Sequence, residues 1–305
     1  MKITLPKYAS NYSLCPFKDE SEIKQFNMSF NLTSETEYAI YWGIRNHKLN
    51  VAPKFGVMET GYFNNASFID TIGSYENSSL NTKYGYDEIV NFDLNGRNSA
   101  RSIIESLPSN RQSKFNANHG IDEDFQQRVI LACQNPTDRS ITYPHNEATY
   151  WKFVEGCCRF YGPNLYLKLH PWNSNEKAEP FIELARKYRC GIGKFPIKLL
   201  KNKAFVIAFN STIAIDCILL GVPYVQYAVG TFWNTFGVHF SNYSFPKDVR
   251  PIEGAEKLAD FLIYKYCFNK GMSKEKYAKM IEHYSKSKDI FPLNDEFCYA
   301  NNIDF

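Results

Sequence analysis

From Val129 onward the chain alternates short apolar runs with longer amphipathic segments. Val129–Gln134, Asn164–His170, Ala204–Phe209 and Val222–Tyr227 are short and rich in β-formers, and they predict strands. Between them, Glu147–Phe160 and Glu176–Tyr188 repeat apolar positions at helical spacing. Thr212–Leu220 predicts a short helix closed by Gly221 and then Pro223. Nearly continuous apolar strands separated by helices are what a parallel sheet covered on both faces requires. Gly254–Phe268 and Ser273–Ser285 predict two further amphipathic helices. Before Val129 the pattern is less regular, because loops of Asn, Ser and Thr interrupt short runs such as Tyr38–Trp42 and Phe55–Met58. The polar stretch Asn116–Asp124, with Gly120 inside it, reads as a linker, giving an α/β domain over 1–122 and a second over 123–305.

Composition supports a fully folded chain. At 305 residues, 44% hydrophobic and 16% aromatic, there is enough apolar surface for two ordinary domains, and the aromatic content speaks against disorder. A net charge of +3 is small at this size, so any anion site must be argued from local residues. The eight cysteines show no CxxC pair and several sit in apolar runs, which reads as buried thiols in a reducing compartment. The start lacks the apolar core of a signal peptide, and no apolar stretch approaches the roughly 18 residues that cross a bilayer. The expected location is the cytoplasm, of a bacterium or of a phage-infected host.

Chemistry concentrates at two strand ends. A buried strand from Ala204 runs through Asn210, Ser211 and Thr212 straight into a helix. Such a turn offers backbone N–H groups, two hydroxyls and the positive end of a helix dipole, an environment suited to phosphate. Asp216, one helical turn beyond Thr212, can face the same pocket and accept from ribose hydroxyls. The same residues would also serve as an ordinary helix cap followed by a solvated acid. In Leu165–Pro171 an alternating strand ends in Lys168, His170 and Pro171, and alternation puts Lys168 and His170 on one face. Ligands of parallel α/β sheets bind at such strand ends.

Taken in order, these blocks resemble a known family. The Lys-x-His-Pro strand end, the downstream Asn210-Ser-Thr-x-x-x-Asp216 and the Leu219-Leu-Gly-Val-Pro223 turn are similar to those of the capsule-type Kdo transferases. Val57–Phe63 with Ser67–Asp70, Gly73 and Asn77–Leu80 resembles that family's acidic N-domain motif, and Val129–Asp138 its inter-domain strand and acidic loop. The resemblance implies a GT-B arrangement: two Rossmann-like α/β domains with a cleft between them and C-terminal helices packing back. It also implies a nucleotide-sugar donor, CMP-Kdo in the family, and transfer without a metal or other cofactor. Carried over, Glu59 and Asp138 become catalytic carboxylates, while His170, Ser211, Thr212 and Asp216 hold the nucleotide; Gln134, Lys168 and Asn210, at the same strand ends, are further donor-contact candidates. Asp216 departs from the family's longer Glu, which leaves the donor nucleotide open.

Sugar transfer asks for such residues on physical grounds, since an oxocarbenium-like state is served by one carboxylate beside it and another that activates the acceptor hydroxyl. Asp138 is read as the first and Glu59 as the second. Each also suits a plain turn. The sequence shows no His-x3-His spacing of the kind that holds a metal. The acceptor divides into two readings. The resemblance implies a polysaccharide or glycolipid. Arg97, Arg101, Arg111 and Lys114 form a basic stretch that could instead track DNA, as in a phage enzyme that moves a sugar from a UDP-sugar onto hydroxymethylated cytosine. A third reading, a sugar- or nucleotide-binding module without turnover, is opposed by the presence of both acids.

Overall fold

The computed structural model describes residues 1–6, 15–43, 52–74, 77–108, 111–112, 129–142, 145–171, 173–230 and 245–303. The chain divides into two compact units, one made of Met1–Lys114 with Lys257–Phe305 and the other of Phe115–Glu256.

In chain order, the first unit begins with strands β1 (Ile3–Thr4), β2 (Met28–Ser29), β3 (Tyr38–Trp42), β4 (Lys54–Thr60) and β5 (Ala66–Asp70). Helices α1 (Glu20–Lys24), α2 (Lys83–Val90) and α3 (Ala100–Ser106) accompany them. Each helix starts at a side-chain cap, from Asp19, Thr82 and Ser99 respectively. Strands β2, β1, β3 and β4 run parallel, and β5 returns antiparallel to β4 with Glu59 opposite Phe68.

The second unit holds β6 (Val129–Ala132), β7 (Leu165–Lys168), β8 (Gly191–Gly193), β9 (Phe205–Ala208) and β10 (Tyr224–Gln226), with helices α4 (Arg139–Thr142), α5 (Glu147–Tyr161), α6 (Asn175–Tyr188) and α7 (Ile213–Leu220). Its sheet is parallel throughout, in the order β10-β9-β6-β7-β8. Every residue of β6, β7 and β9 is buried, which is why these strands read as unbroken apolar runs. Helix α5 buries Tyr150, Phe153, Val154, Cys157 and Cys158, one stripe at helical spacing. It stops at Gly162, whose φ of +50° no β-carbon tolerates well. Helix α7 closes on Gly221 in the left-handed region, as the Gly-Val-Pro pattern predicts.

The remaining segment carries α8 (Glu256–Phe261), β11 (Cys267–Asn269) and α9 (Lys274–Lys286). Two expectations change here. Gly254–Phe268 reads as one helix, but α8 passes into a π-turn over Leu262–Tyr266 and the chain then extends into β11. Pairing with β5, Cys267 opposite Phe68, supplies a sheet edge with backbone partners that outweigh helical periodicity. This strand also explains why Lys257–Phe305 clusters with the first unit, where the sequence reading assigned all of 123–305 to the second. The expected linker at Asn116–Asp124, and the 122/123 boundary with it, lie outside the described residues. All eight cysteines are free thiols, seven of them buried and Cys190 half-buried. Among the described residues no helix is long and apolar enough to cross a membrane.

Candidate functional site

Counted from β6, the second unit's chain moves outward through β7 to β8 and then returns to the other side of β6 as β9 and β10. The order reverses between β6 and β9, and parallel α/β sheets place ligands at the carboxyl ends of the strands flanking such a reversal. Gln134 follows β6 there and Asn210 follows β9. The Gln134 carboxamide clasps Asn210: Nε2 donates to Asn210 Oδ1 at 2.8 Å, and the Asn210 backbone N donates to Gln134 Oε1 at 3.0 Å. Asn210 Nδ2 goes on to the carbonyls of Ser140, at 2.6 Å, and Val229, at 3.2 Å. Gln134 N donates to Tyr150 Oη at 2.8 Å. The sequence reading gives both amides to the donor, whereas the structure pairs all their side-chain polar atoms within the protein. They form a hydrogen-bonded floor beneath this strand edge.

Asp138 hangs from this floor. Its Oδ1 accepts from Ser140 N (2.9 Å) and Ser140 Oγ (2.7 Å), in the turn that opens α4, and Ser140 O is held in turn by Asn210. The carboxylate is exposed yet positionally fixed.

At the neighbouring strand end, Lys168 is the last residue of β7 and 6% exposed, with Nζ 5.2 Å from the Phe195 ring centre. Burial lowers its pKa, the Asp216 carboxylate pulls it back up, and Lys194 adds to the lowering. These groups are therefore electrostatic neighbours across β7, β8 and α7. Lys194, just past β8, donates Nζ to the carbonyls of Pro171 (3.1 Å) and Asn173 (3.2 Å). His170 is half-buried in the same turn, and its carbonyl accepts from Asn173 N at 3.0 Å. On the other side of β6, Ser211 Oγ accepts from the N–H of Ile213, the first residue of α7, at 3.2 Å. The Thr212 hydroxyl makes no capping bond. The strand ends thus bring Asp138, Lys168, His170, Ser211, Thr212 and Asp216 to one edge of one sheet, as the sequence suggested. Lys194 and Asn173 join them without having been singled out, because neither stands in a recognisable motif.

Glu59 lies on the first unit, half-buried on β4. Its carbonyl accepts from Ser67 Oγ at 2.6 Å and its Oε2 from Thr60 N at 3.3 Å. Gly43, at φ +60°, leaves room for this carboxylate, since a β-carbon there would stand 2.9 Å from Glu59 Oε1. The acidic motif's other member, Asp70, has a different task. Fully buried, it accepts from the amides of Ile72, Gly73 and Ser79 and from the hydroxyls of Ser78, Ser79 and Tyr266 at 2.6–3.0 Å. It ties β5 to the turn behind it and to the C-terminal segment.

In the basic stretch, the described arginines are engaged within the protein. Arg97 stacks over Tyr264 (4.3 Å) and Phe92 (5.5 Å), and it bonds the carbonyls of Leu94 and Asp93 as well as Asp295 Oδ1 (3.2 Å). Arg101 and Arg111 each have partners of their own. Lys114 lies outside the described residues. Among the described residues no group of three or more His, Cys, Asp or Glu side chains is gathered as a metal would need.

No family model matches the sequence, and no curated protein matches it. Solved structures do. Two structures of KpsC from Thermosulfurimonas dismutans, described as a β-Kdo 2,4 transferase and a β-Kdo 2,7 transferase, each align at a TM-score of 0.57 and 16% identity over 88% of this chain and 92% of theirs. The heptosyltransferase WaaC of E. coli with ADP aligns at 0.28 and 12% over 51% of this chain and 45% of its own, too distant to carry an argument. The two α/β units of this chain, each built around a largely parallel sheet, therefore have the GT-B fold of the capsule Kdo transferases, at a sequence distance that marks a divergent example of it.

Proposed function

We propose that the chain is a glycosyltransferase whose second unit binds a nucleotide-sugar donor, of the CMP-Kdo type, and passes the sugar to a polysaccharide or glycolipid acceptor. One observation carries the reading: Lys168, His170, Ser211, Thr212 and Asp216 meet at the carboxyl edge of a parallel sheet, beside its strand-order reversal, in a chain with the fold of Kdo transferases. Cations and a helix start suit the phosphate that leaves with the nucleotide, and Asp216 suits the ribose hydroxyls. Asp138, held through Oδ1 by Ser140, is the carboxylate that faces the oxocarbenium-like sugar, and Glu59 takes the proton from the acceptor hydroxyl. The protein itself supplies the charge that stabilises the leaving phosphate, so no metal enters the scheme.

The test is a thermal-shift screen against CMP, UDP and GDP and their sugar conjugates, followed by transfer assays. A ligand that binds only the folded state raises the Tm by mass action. CMP and CMP-Kdo are expected to stabilise; a shift with UDP alone would replace the donor, and no shift with any nucleotide would end the proposal. Asp138→Asn is expected to lower transfer by about a hundredfold or more while nucleotide binding stays within a few-fold. Unchanged transfer would remove Asp138 from the chemistry.

A further inference from the structure

The turn between β7 and α6 holds a polar group that the fold leaves unsatisfied. Asn173 is 5% exposed, and neither the oxygen nor the nitrogen of its carboxamide has a hydrogen-bond partner. A buried amide without partners forfeits the hydrogen bonds it had in water, and buried polar groups are otherwise almost always paired. Gln134 and Asn210, equally enclosed a short distance along the same strand edge, show how this fold satisfies an amide when the amide serves only structure. Asn173 departs from that pattern.

Its surroundings select an anion. Lys194 Nζ is fixed 3.1 Å from Pro171 O and 3.2 Å from Asn173 O, which occupies two of its three protons and leaves the third. Lys168 lies close enough to Lys194 for the two charges to oppose each other. Helix α6, fourteen residues long, starts immediately after this turn with Ser174 as its cap, adding the positive end of its dipole. The Lys194 ammonium, fixed on this turn, and the start of α6 together favour an anion there, and a phosphate would be one.

We infer that Asn173 and Lys194 form the phosphate cradle of the donor site, the carboxamide nitrogen donating to a phosphoryl oxygen and the carboxamide oxygen accepting from a hydroxyl of the bound nucleotide. This rests on the donor reading above and adds the two residues that sequence motifs do not reveal. A group kept unpaired for a ligand has a distinctive signature: removing it leaves the free protein as stable as before, or more so, and weakens binding.

The experiment compares wild type with Asn173→Leu and Lys194→Met, measuring the Tm without ligand and the affinity for CMP, UDP, GDP and inorganic pyrophosphate by calorimetry. Asn173→Leu is expected to keep or raise the ligand-free Tm and to weaken the preferred nucleotide at least tenfold, and Lys194→Met is expected to weaken it similarly. Wild type and both variants binding a nucleotide equally would overturn the cradle while leaving the donor reading intact. A lowered ligand-free Tm with unchanged affinity would do the same, showing the amide to be structural. If wild type binds pyrophosphate but no nucleotide, and Asn173→Leu loses pyrophosphate, the anion pocket stands and the donor reading falls. Binding of neither probe by wild type overturns both.

Discussion

Asp70, at the end of β5 in the first unit, and Asn173, in the turn before α6 in the second, are both removed from solvent, yet the fold treats them oppositely. Asp70 receives three amides and three hydroxyls from its own chain. Asn173 receives nothing at its side chain. Burying a carboxylate is costly unless its oxygens are hydrogen-bonded, so the surroundings of Asp70 have been built to satisfy it and it works as a knot. The difference teaches what to test on this scaffold: the saturated Asp70 ties the structure together, whereas the open Asn173 amide is the group proposed to meet a ligand.

That contrast can be broken by experiment. The largest effect is expected from Asp70→Ala, which strands several buried donors at once and should lower unfolding free energy by about 4 kcal/mol in urea titration. A loss below about 1 kcal/mol would show that the knot contributes little. Gln134→Ala comes next, at about 2 kcal/mol, because it leaves the buried Asn210 amide half-paired. Its effect on nucleotide affinity should be smaller than that of Asn173→Leu, and the reverse ranking would make Gln134 a contact rather than floor. Arg97→Ala should cost about 1 kcal/mol, since its stacking on Tyr264 is shared with a solvent-screened ion pair to Asp295. Retention on duplex DNA should not differ between Arg97→Ala and wild type, and a salt-sensitive loss of retention would restore the basic stretch as a nucleic-acid face.

Much of the second unit was legible because burial on both faces writes strands as continuous apolar runs: β9 sits within the predicted Ala204–Phe209, and α7 ends at the predicted Gly221. The first unit was harder, since two-residue strands such as β1 and β2 carry too little pattern to register. Strand β11 was hidden by the helical spacing of Gly254–Phe268, and only its pairing with β5, far away in sequence, fixes its conformation. At the site, Lys168, His170 and Asp216 were visible because strand ends and helix starts are local features. The mutual clasp of Gln134 and Asn210 was not, because it joins strands that are distant in sequence. Asn173 could not be read at all from residue order: what distinguishes it is a missing partner, and only three-dimensional packing shows that.

The split make-up of the first unit has a consequence for how the chain is made. Translation delivers residues from the amino end, and domains fold as units while synthesis proceeds. The second unit is drawn from one continuous stretch, Phe115–Glu256, whereas the first needs Lys257–Phe305 to supply β11 and the Tyr266 hydroxyl that reaches Asp70. On the ribosome the second unit is therefore complete first. The half that began earlier waits, with the edge of β5 uncovered and its buried carboxylate one partner short, until the last segment emerges.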